Sequence, residues 1–327
     1  MIKLSVVIVN YHSEKLLEDC LSSVFERGNP VDFEAIVVNN DINNSLSRLK
    51  DKFISARFVQ SAKNIGFAAA TNMGIKMSRG EYVLLLNPDT RIFPETFEEM
   101  VGFMEHNPDA GIIGPRLLDA EGRPHSLASF SDRAPSPLGT LTENTAVLKE
   151  LFSGSGRSGG HGRADRLEDP AQQAETIQGA CFMIRRKTVS DIGLLDERFF
   201  LYWEDTDWCV RARKKGWNIY YLRSARCIHL GGQSSRNKIQ DHYHYFNSMY
   251  KFYNKHYGLP QIILLKLLFN CLFVTGLFKF SFLYLFSGKR RKAASIETKR
   301  MLERAVAHAG FSGPLSFARG CHKDKKE

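Results

Sequence analysis

The sequence predicts an α/β chain. Its core is a mostly parallel sheet with helices on both faces, followed by a C-terminal apolar helical segment. Three observations lead there. Short apolar β-branched runs (LSVVIV at 4–9, EAIVVNN at 34–40, YVLLLN at 82–87) alternate with stretches of helical periodicity. The runs are continuously apolar rather than alternating, as in strands buried on both faces. Each ends in polar residues: VNYH at 9–12, VNND at 38–41 and NPDT at 87–90. In an open α/β sheet, ligands bind beyond the carboxyl ends of the strands, so three polar strand ends at one edge describe a crevice.

Taken in order, the first strand leads into a helix over 13–26, where Leu16, Leu17, Cys20, Leu21, Val24 and Phe25 recur at helical spacing. A second helix is predicted over about 67–78, between the second and third runs. Asp89 in NPDT reads either as a turn residue ahead of a helix starting near Pro94, or as a ligand at a strand end. The Gly/Ser-rich basic run GSGRSGGHGRA at 154–164 reads as a flexible loop, placed at about 153–170. The alternative is a phosphate cradle, although no strand leads into it and no GK[ST] closes it. Helical and strand signals resume near 176 with TIQGACFMIRRKTV.

Residues 199–217, FFLYWEDTDWCVRARKKGW, carry the densest chemistry. An aromatic run ends at Glu204, and Glu204, Asp205 and Asp207 follow within four residues. Then comes a helix that Gly216 closes at its C-cap. Asp207 to Arg211 is an i, i+4 ion pair that stabilises such a helix. Glu204 and Asp205, at the mouth of an apolar wall, suit a general base, because the wall can exclude water and tune a carboxylate.

Residues 261–287, QIILLKLLFNCLFVTGLFKFSFLYLFS, are apolar with Lys266 and Lys279 inside, preceded by Pro260 and followed by GKRRK. The length suffices to span a bilayer. An interfacial or re-entrant segment with a polybasic anchor fits better, since the lysines fall on nearly opposite helix faces. A helix pair packed on the globular domain is the third reading. The domain organisation is therefore 1–258, a catalytic α/β domain; 259–292, an apolar membrane-associating segment with a basic flank; and 293–327, a basic tail.

Composition narrows the classes. The chain has 327 residues, 43% hydrophobic, with a net charge of +10 concentrated toward the tail. Basic groups beside an apolar segment favour a membrane surface over nucleic acid. The six cysteines, at 20, 181, 209, 227, 271 and 321, form no CxxC, which signals no zinc or thioredoxin-like motif. The N-terminus turns polar too early for a signal peptide, and reduced thiols in the cytoplasm follow. A dinucleotide-binding oxidoreductase shares the early βαβ pattern, but no GxGxxG follows the first strand. A non-catalytic membrane-docking protein with a degenerate transferase fold is the other alternative.

From about residue 3 to about 256 the chain resembles family 2 glycosyltransferases of the GT-A fold, close to the rhamnosyltransferase-like branch. The resemblance rests on VVIVNYH, VVNND, NIGFAAATNMGI (64–75), YVLLLNPDT, GLLDERFFLYWEDTDWCVRARKKGW and CIHLGGQSS (227–235), in this order and at these separations. It implies an inverting transferase that moves a sugar, rhamnose from dTDP-rhamnose foremost, from a nucleoside diphosphate to a hydroxyl of a saccharide acceptor. The apolar C-terminal segment suggests a lipid-linked acceptor, as in surface polysaccharide assembly, at the cytoplasmic face of the cell membrane. The resemblance further implies that Asp89, with His229, holds Mg²⁺ or Mn²⁺ against the donor diphosphate. Asn87 stands where many relatives carry a first Asp. Tyr11, Asn39 and Asp41 border the nucleotide base, Asn64 and Gly66 shape the adjacent loop, and Asn72 faces the donor. Asp205 is the base, and Glu204 supports acceptor binding.

Overall fold

A computed structural model describes residues 2–25, 31–124, 130–131, 135, 170–231, 238–286, 302–306 and 308–310. The chain divides into two compact units, Met1–Ser234 and Ser235–Glu327. The Gly/Ser-rich run, the GKRRK cluster and the end of the tail lie outside the described residues.

The first unit is built from β1 (Leu4–Asn10), α1 (Glu14–Val24), β2 (Phe33–Asn39), α2 (Ser47–Lys52), β3 (Ala56–Gln60), α3 (Phe67–Met77), β4 (Tyr82–Leu86), β5 (Thr90–Ile92), α4 (Thr96–His106) and β6 (Ala110–Leu118). It continues through β7 (Phe130–Ser131), β8 (Ala171–Gln173), β9 (Thr176–Ile177), β10 (Cys181–Arg185), α5 (Arg186–Ile192), α6 (Glu204–Lys214) and β11 (Asn218–His229). Among the described residues one nine-stranded sheet has the order β3-β2-β1-β4-β10-β6-β11-β5, with β8 on β11. β1, β2, β3, β4, β6 and β11 run one way, while β10, β5 and β8 run against them. This mostly parallel sheet with helices on both faces is the GT-A architecture that the resemblance implies.

Both faces of the sheet are covered, which is why its strands read as unbroken apolar runs. Leu4, Val6 and Ile8 of β1 point into a core shared with Leu17 and Leu21 of α1 and with Phe97, Met100 and Met104 of α4. Val7 points to the opposite face, where Ala68 and Ile75 of α3 and Trp208 of α6 pack. Burying a side chain of this size contributes roughly 1.5–3 kcal/mol, so a register slip that exchanged the two faces would repack both cores at once.

β1 and β2 pair in register, Asn10 opposite Asn39, and β1 pairs with β4 on its other side. The carboxyl ends of all three strands therefore meet at one edge. The short antiparallel pairing of β5 with β11 sets Thr90 opposite His229 at the same end.

The second unit contains α7 (Lys238–His256) and α8 (Leu259–Phe286). Phe246 of α7 packs edge-on against Phe269 and Phe273 of α8, with ring centroids 5.3 and 6.0 Å apart, and His308 closes the cluster. Leu265, Phe269 and Phe273 are buried, whereas Ile263, Leu264, Leu267, Val274 and Phe278 are exposed. α8 is long and apolar enough over Leu259–Phe278 to cross a membrane, and 22% of that stretch is buried. One of its faces is packed and the other is apolar and open. Lys266 does not interrupt the packing: its Nζ lies over the Tyr250 ring, 5.0 Å from the centroid, so its stem covers apolar surface while its charge is met by an aromatic face.

Candidate active site

NPDT is a β-turn with Pro88 at its second position. The Thr90 backbone N–H and hydroxyl both donate to the Asn87 carbonyl, at 3.2 and 2.6 Å. Leu230 N–H donates to the Asp89 carbonyl at 2.9 Å, tying the turn to the end of β11. This brings Asp89 Oδ1 to 3.5 Å from His229 Nε2, with both side chains nearly buried. The separation is long for a hydrogen bond. It is near the spacing of two adjacent ligands about 2.1 Å from one divalent ion, roughly 3 Å. One hard carboxylate and one imidazole fit a cation that takes its remaining ligands from phosphate and water. No group of three or more candidate metal ligands occurs among the described residues.

The end of β2 is a buried amide network. Asn39 Oδ1 accepts from Asn10 Nδ2 at 2.8 Å, and its Nδ2 donates to Gln60 Oε1 at 2.7 Å and to the carbonyls of Asp41 and Asn44. That side chain is engaged within the protein. Asp41 accepts from Asn43 N–H at 3.0 Å and from the His12 ring Nδ1 at 2.7 Å. Tyr11 is exposed beside His12, with their ring centroids 4.1 Å apart. Of the residues expected around the base, Tyr11 is thus the open one, and the His12–Asp41 pair forms the wall behind it.

Asn40, which the sequence reading passed over, holds the adjoining loop. Its Nδ2 donates to Asn64 Oδ1 at 2.9 Å, and its Oδ1 accepts from Ile65 N–H and Ser61 Oγ. Gly66 has φ +86°, and a Cβ there would lie 2.7 Å from both the ring and the carbonyl oxygen of Phe200. Only glycine fits this approach. Phe67 N–H donates to that same Phe200 carbonyl at 2.7 Å. The loop at 61–66 is therefore docked on the aromatic run that precedes Glu204. Asn72 bonds Leu195 N–H and carbonyl at 3.0 and 2.9 Å and Glu197 Oε1 at 3.0 Å. Its amide fastens α3 to the 195–197 segment.

Tyr202 and Trp203 both adopt left-handed backbone, φ 68° and 70°. For residues with a Cβ each costs roughly 1–2 kcal/mol, a strain that clusters at functional sites. The double turn aims the chain so that α6 begins at Glu204. Asp205 Oδ2 accepts from Gly179 N–H at 2.8 Å, and Oδ1 accepts from Thr206 N–H at 2.6 Å. A Cβ at Gly179 would sit 3.1 Å from Asp205 Oδ2. Desolvation raises the Asp205 carboxyl above its ordinary range against these bonds. Glu204 is buried, and its Oε2 has no hydrogen-bond partner. Burial and then the neighbouring Asp205 charge push it well above the carboxylate range. Two adjacent carboxyl groups thus differ in kind: Asp205 is clamped by backbone donors and partly accessible, while Glu204 is buried and favours its protonated form.

Asp207 is fully buried and pairs with Arg211 Nε at 2.8 Å. Arg211 also donates to the carbonyls of Ile192 and Leu194, which ties α6 to the segment after α5. Gly216 closes α6 with φ +85°. Its N–H bonds the Arg213 carbonyl and Trp217 N–H bonds Ala212, the pairing of a Schellman cap.

Comparison with known proteins identifies a family. The family model "Glycosyl transferase family 2" matches residues 5–149, and "Glycosyl transferase family group 2" matches residues 82–296. The chain is 33% identical over 230 residues to the low-salt glycan biosynthesis hexosyltransferase Agl10 of Haloferax volcanii, covering 69% of this chain and 66% of the relative. It is 27% identical over 254 residues to the N-acetylglucosaminyl-diphospho-decaprenol L-rhamnosyltransferase of Mycobacterium tuberculosis, covering 73% and 80%. The dTDP-rhamnosyl transferase RfbF of Shigella flexneri is 24% identical over 233 residues, covering 70% and 69%. The crystal structure of Staphylococcus aureus TarS aligns over 97% of this chain and 44% of its own, with TM-score 0.48 and 15% identity. The second model runs through both the NPDT turn and the strained entry to α6, and on that footing the chain belongs to glycosyltransferase family 2.

Proposed function

We propose that the protein is an inverting transferase carrying a hexose, rhamnose from dTDP-rhamnose foremost, to a hydroxyl of a lipid-linked saccharide. The observation that carries this reading is the pairing of β5 with β11, which holds Asp89 and His229 3.5 Å apart at the strand ends. This pair would hold a divalent cation, Mg²⁺ or Mn²⁺, which neutralises the charge that the nucleoside diphosphate carries away. Asn87 lies on the same turn, beside the diphosphate. The base stacks at Tyr11, with Asp41 and the amide network of Asn39 behind it, and Asn64 and Gly66 shape the flanking loop. Asn72 supports the donor side only indirectly, through the 195–197 segment that it fastens.

Asp205 is the base. It removes the acceptor hydroxyl proton as the oxygen attacks the anomeric carbon from the face opposite the diphosphate. The glycosyl–phosphate bond breaks with its electron pair leaving on the nucleoside diphosphate, so the configuration inverts in one displacement. Glu204, protonated in its buried site, donates a hydrogen bond on the acceptor side.

The catalytic domain is read as 1–258. The segment 259–292 is read as a membrane-associating element that keeps the enzyme at the cytoplasmic face of the cell membrane, and 293–327 as a basic tail. The open apolar face of α8 supports an interfacial position. A screen of nucleoside diphosphate sugars with purified protein and Mg²⁺ or Mn²⁺, reading the nucleoside diphosphate released, tests the reading. Release from a dTDP-hexose supports it, and release from none of the donors in the presence of a membrane lipid extract overturns it.

A further inference from the structure

Arg223 is a half-buried cation in the first unit. Its Nε and one terminal guanidinium nitrogen are buried and have no hydrogen-bond partner. Its backbone is ordinary: the N–H bonds the Pro170 carbonyl at 2.8 Å. A guanidinium cannot escape desolvation by losing its proton, and donors withdrawn from water without a partner are destabilising. A fold keeps such a group where something else supplies the opposite charge.

Its position says what that something is next to. Ile219 and Tyr221 of β11 lie in the core that contains Trp208 and Cys209 of α6. Strand alternation puts Arg223 on that same face, one step nearer the carboxyl end. Tyr221 is the register partner of Gly114 on β6, and a Cβ at Gly114 would strike Ile177. Two residues beyond Ile177, Gly179 holds Asp205. Arg116, two residues beyond Gly114, follows Gly114 onto this face, beside a register shift between Leu222 and Arg226 that widens β11 locally. Two further buried polar atoms without partners bracket the Gly179–Asp205 bond in sequence: Gln178 Oε1 and Glu204 Oε2. The face of the sheet around the base thus carries an uncompensated cation, a second arginine, an amide and a carboxylic acid. The Asp89–His229 pair lies six residues further along β11, at its carboxyl end, where β5 pairs with it.

We infer that Arg223, with Arg116 on the same face of the neighbouring strand β6, binds an anionic group of the acceptor next to the sugar hydroxyl that Asp205 deprotonates, a phosphate or diphosphate linking that saccharide to its lipid. The inference rests on the acceptor lying at Asp205, as proposed above. Arg presents a planar fork of donors that matches phosphate oxygens bidentately, and the acid and amide beside it are suited to neutral hydroxyls. Arg223 is then a specificity residue that favours acceptors carrying phosphate near the reacting sugar.

Binding of farnesyl diphosphate, and of farnesol as its neutral counterpart, is measured by calorimetry on the full chain saturated with dTDP and Mn²⁺. Wild-type protein is expected to bind farnesyl diphosphate and to bind farnesol at least tenfold more weakly. Arg223→Gln should lose at least tenfold in affinity for the diphosphate, Arg223→Lys should lose less, and dTDP binding should be unchanged in both. Removing donors withdrawn from water without a partner should leave the melting temperature of Arg223→Met equal to or above that of wild type; a purely structural arginine would give a lower one. Equal diphosphate binding by wild type and Arg223→Gln, or none by the dTDP-saturated wild type, overturns the inference. A drop in the Arg223→Met melting temperature does so too. Failure of dTDP itself to bind would instead strike at the transferase reading.

Discussion

Replacing Asp205 by Asn separates the proposed base from its scaffold. The carboxylate accepts from Gly179 N–H on one oxygen and from Thr206 N–H and hydroxyl on the other. An amide has a single oxygen, so one of these donors must face an NH₂. Facing donors cost about 1–3 kcal/mol, which should appear as a lower melting temperature with the fold retained. The chemical effect is larger. Loss of a positioned general base costs about 10²–10⁴ in rate, or about 2.7–5.4 kcal/mol in barrier. The assay is turnover against acceptor at saturating donor, beside donor-nucleotide affinity by calorimetry. The account expects kcat to fall at least 10²-fold with donor affinity within a factor of two or so. Full turnover by Asp205→Asn, with Glu204→Gln showing the large loss instead, would move the base to Glu204. Full turnover by both variants would make the pair structural.

Three further outcomes follow from the same geometry. Glu204 has a raised folded-state pKa from burial, so the protein holds that proton more tightly folded than unfolded. The stability this contributes is present below the unfolded value of 4.5 and is lost as pH rises through the folded one; Glu204→Gln should therefore gain on wild type in denaturant unfolding as pH increases above about 4.5, and a pH-independent difference would contradict the burial argument. Gly66→Ala drives a Cβ into Phe200 at positive φ, and should lose about 1–3 kcal/mol together with donor affinity; a variant with wild-type melting and nucleotide binding would show the loop at 61–66 to be unimportant. The open face of α8 should bury in lipid at roughly 0.8 kcal/mol per CH₂, so full-length protein should sediment with membranes, resist high salt and release in detergent, while a chain truncated after Leu259 stays soluble and still binds nucleotide; salt release would leave only an electrostatic contact, and a soluble full-length monomer would refute the membrane role.

The parallel half of the sheet was legible because β1, β2 and β4 are buried on both faces and so read as unbroken apolar runs. α6 was legible because its charges and its terminal Gly216 are local signals. The other half was not. β11 reads NIYYLRSARCIH, with arginines at 223 and 226 and a register shift between them, so neither alternation nor a continuous run marks it. Tyr202 and Trp203 favour β structure in isolation, and tertiary contacts impose their positive φ. Asn39 and Asn72 stood in the right motifs, but which hydrogen bonds an amide makes depends on partners such as Gln60 and Leu195 that only the fold brings near. The same limit hid Asn40, although it lies in the VNND stretch, and Gly179, whose role is to reach Asp205 across the first unit.

The proposed donor site hangs on Asp89 and His229, and its most direct test is metal-dependent transfer. Labelled hexose is followed from its nucleoside diphosphate donor into membrane lipid extract by full-length protein with Mn²⁺, with excess chelator, and after Asp89→Ala. The account predicts transfer in the first case alone, restoration when Mn²⁺ is returned to the chelated wild type, and no restoration for Asp89→Ala. Undiminished transfer in excess chelator, or by Asp89→Ala, would contradict it.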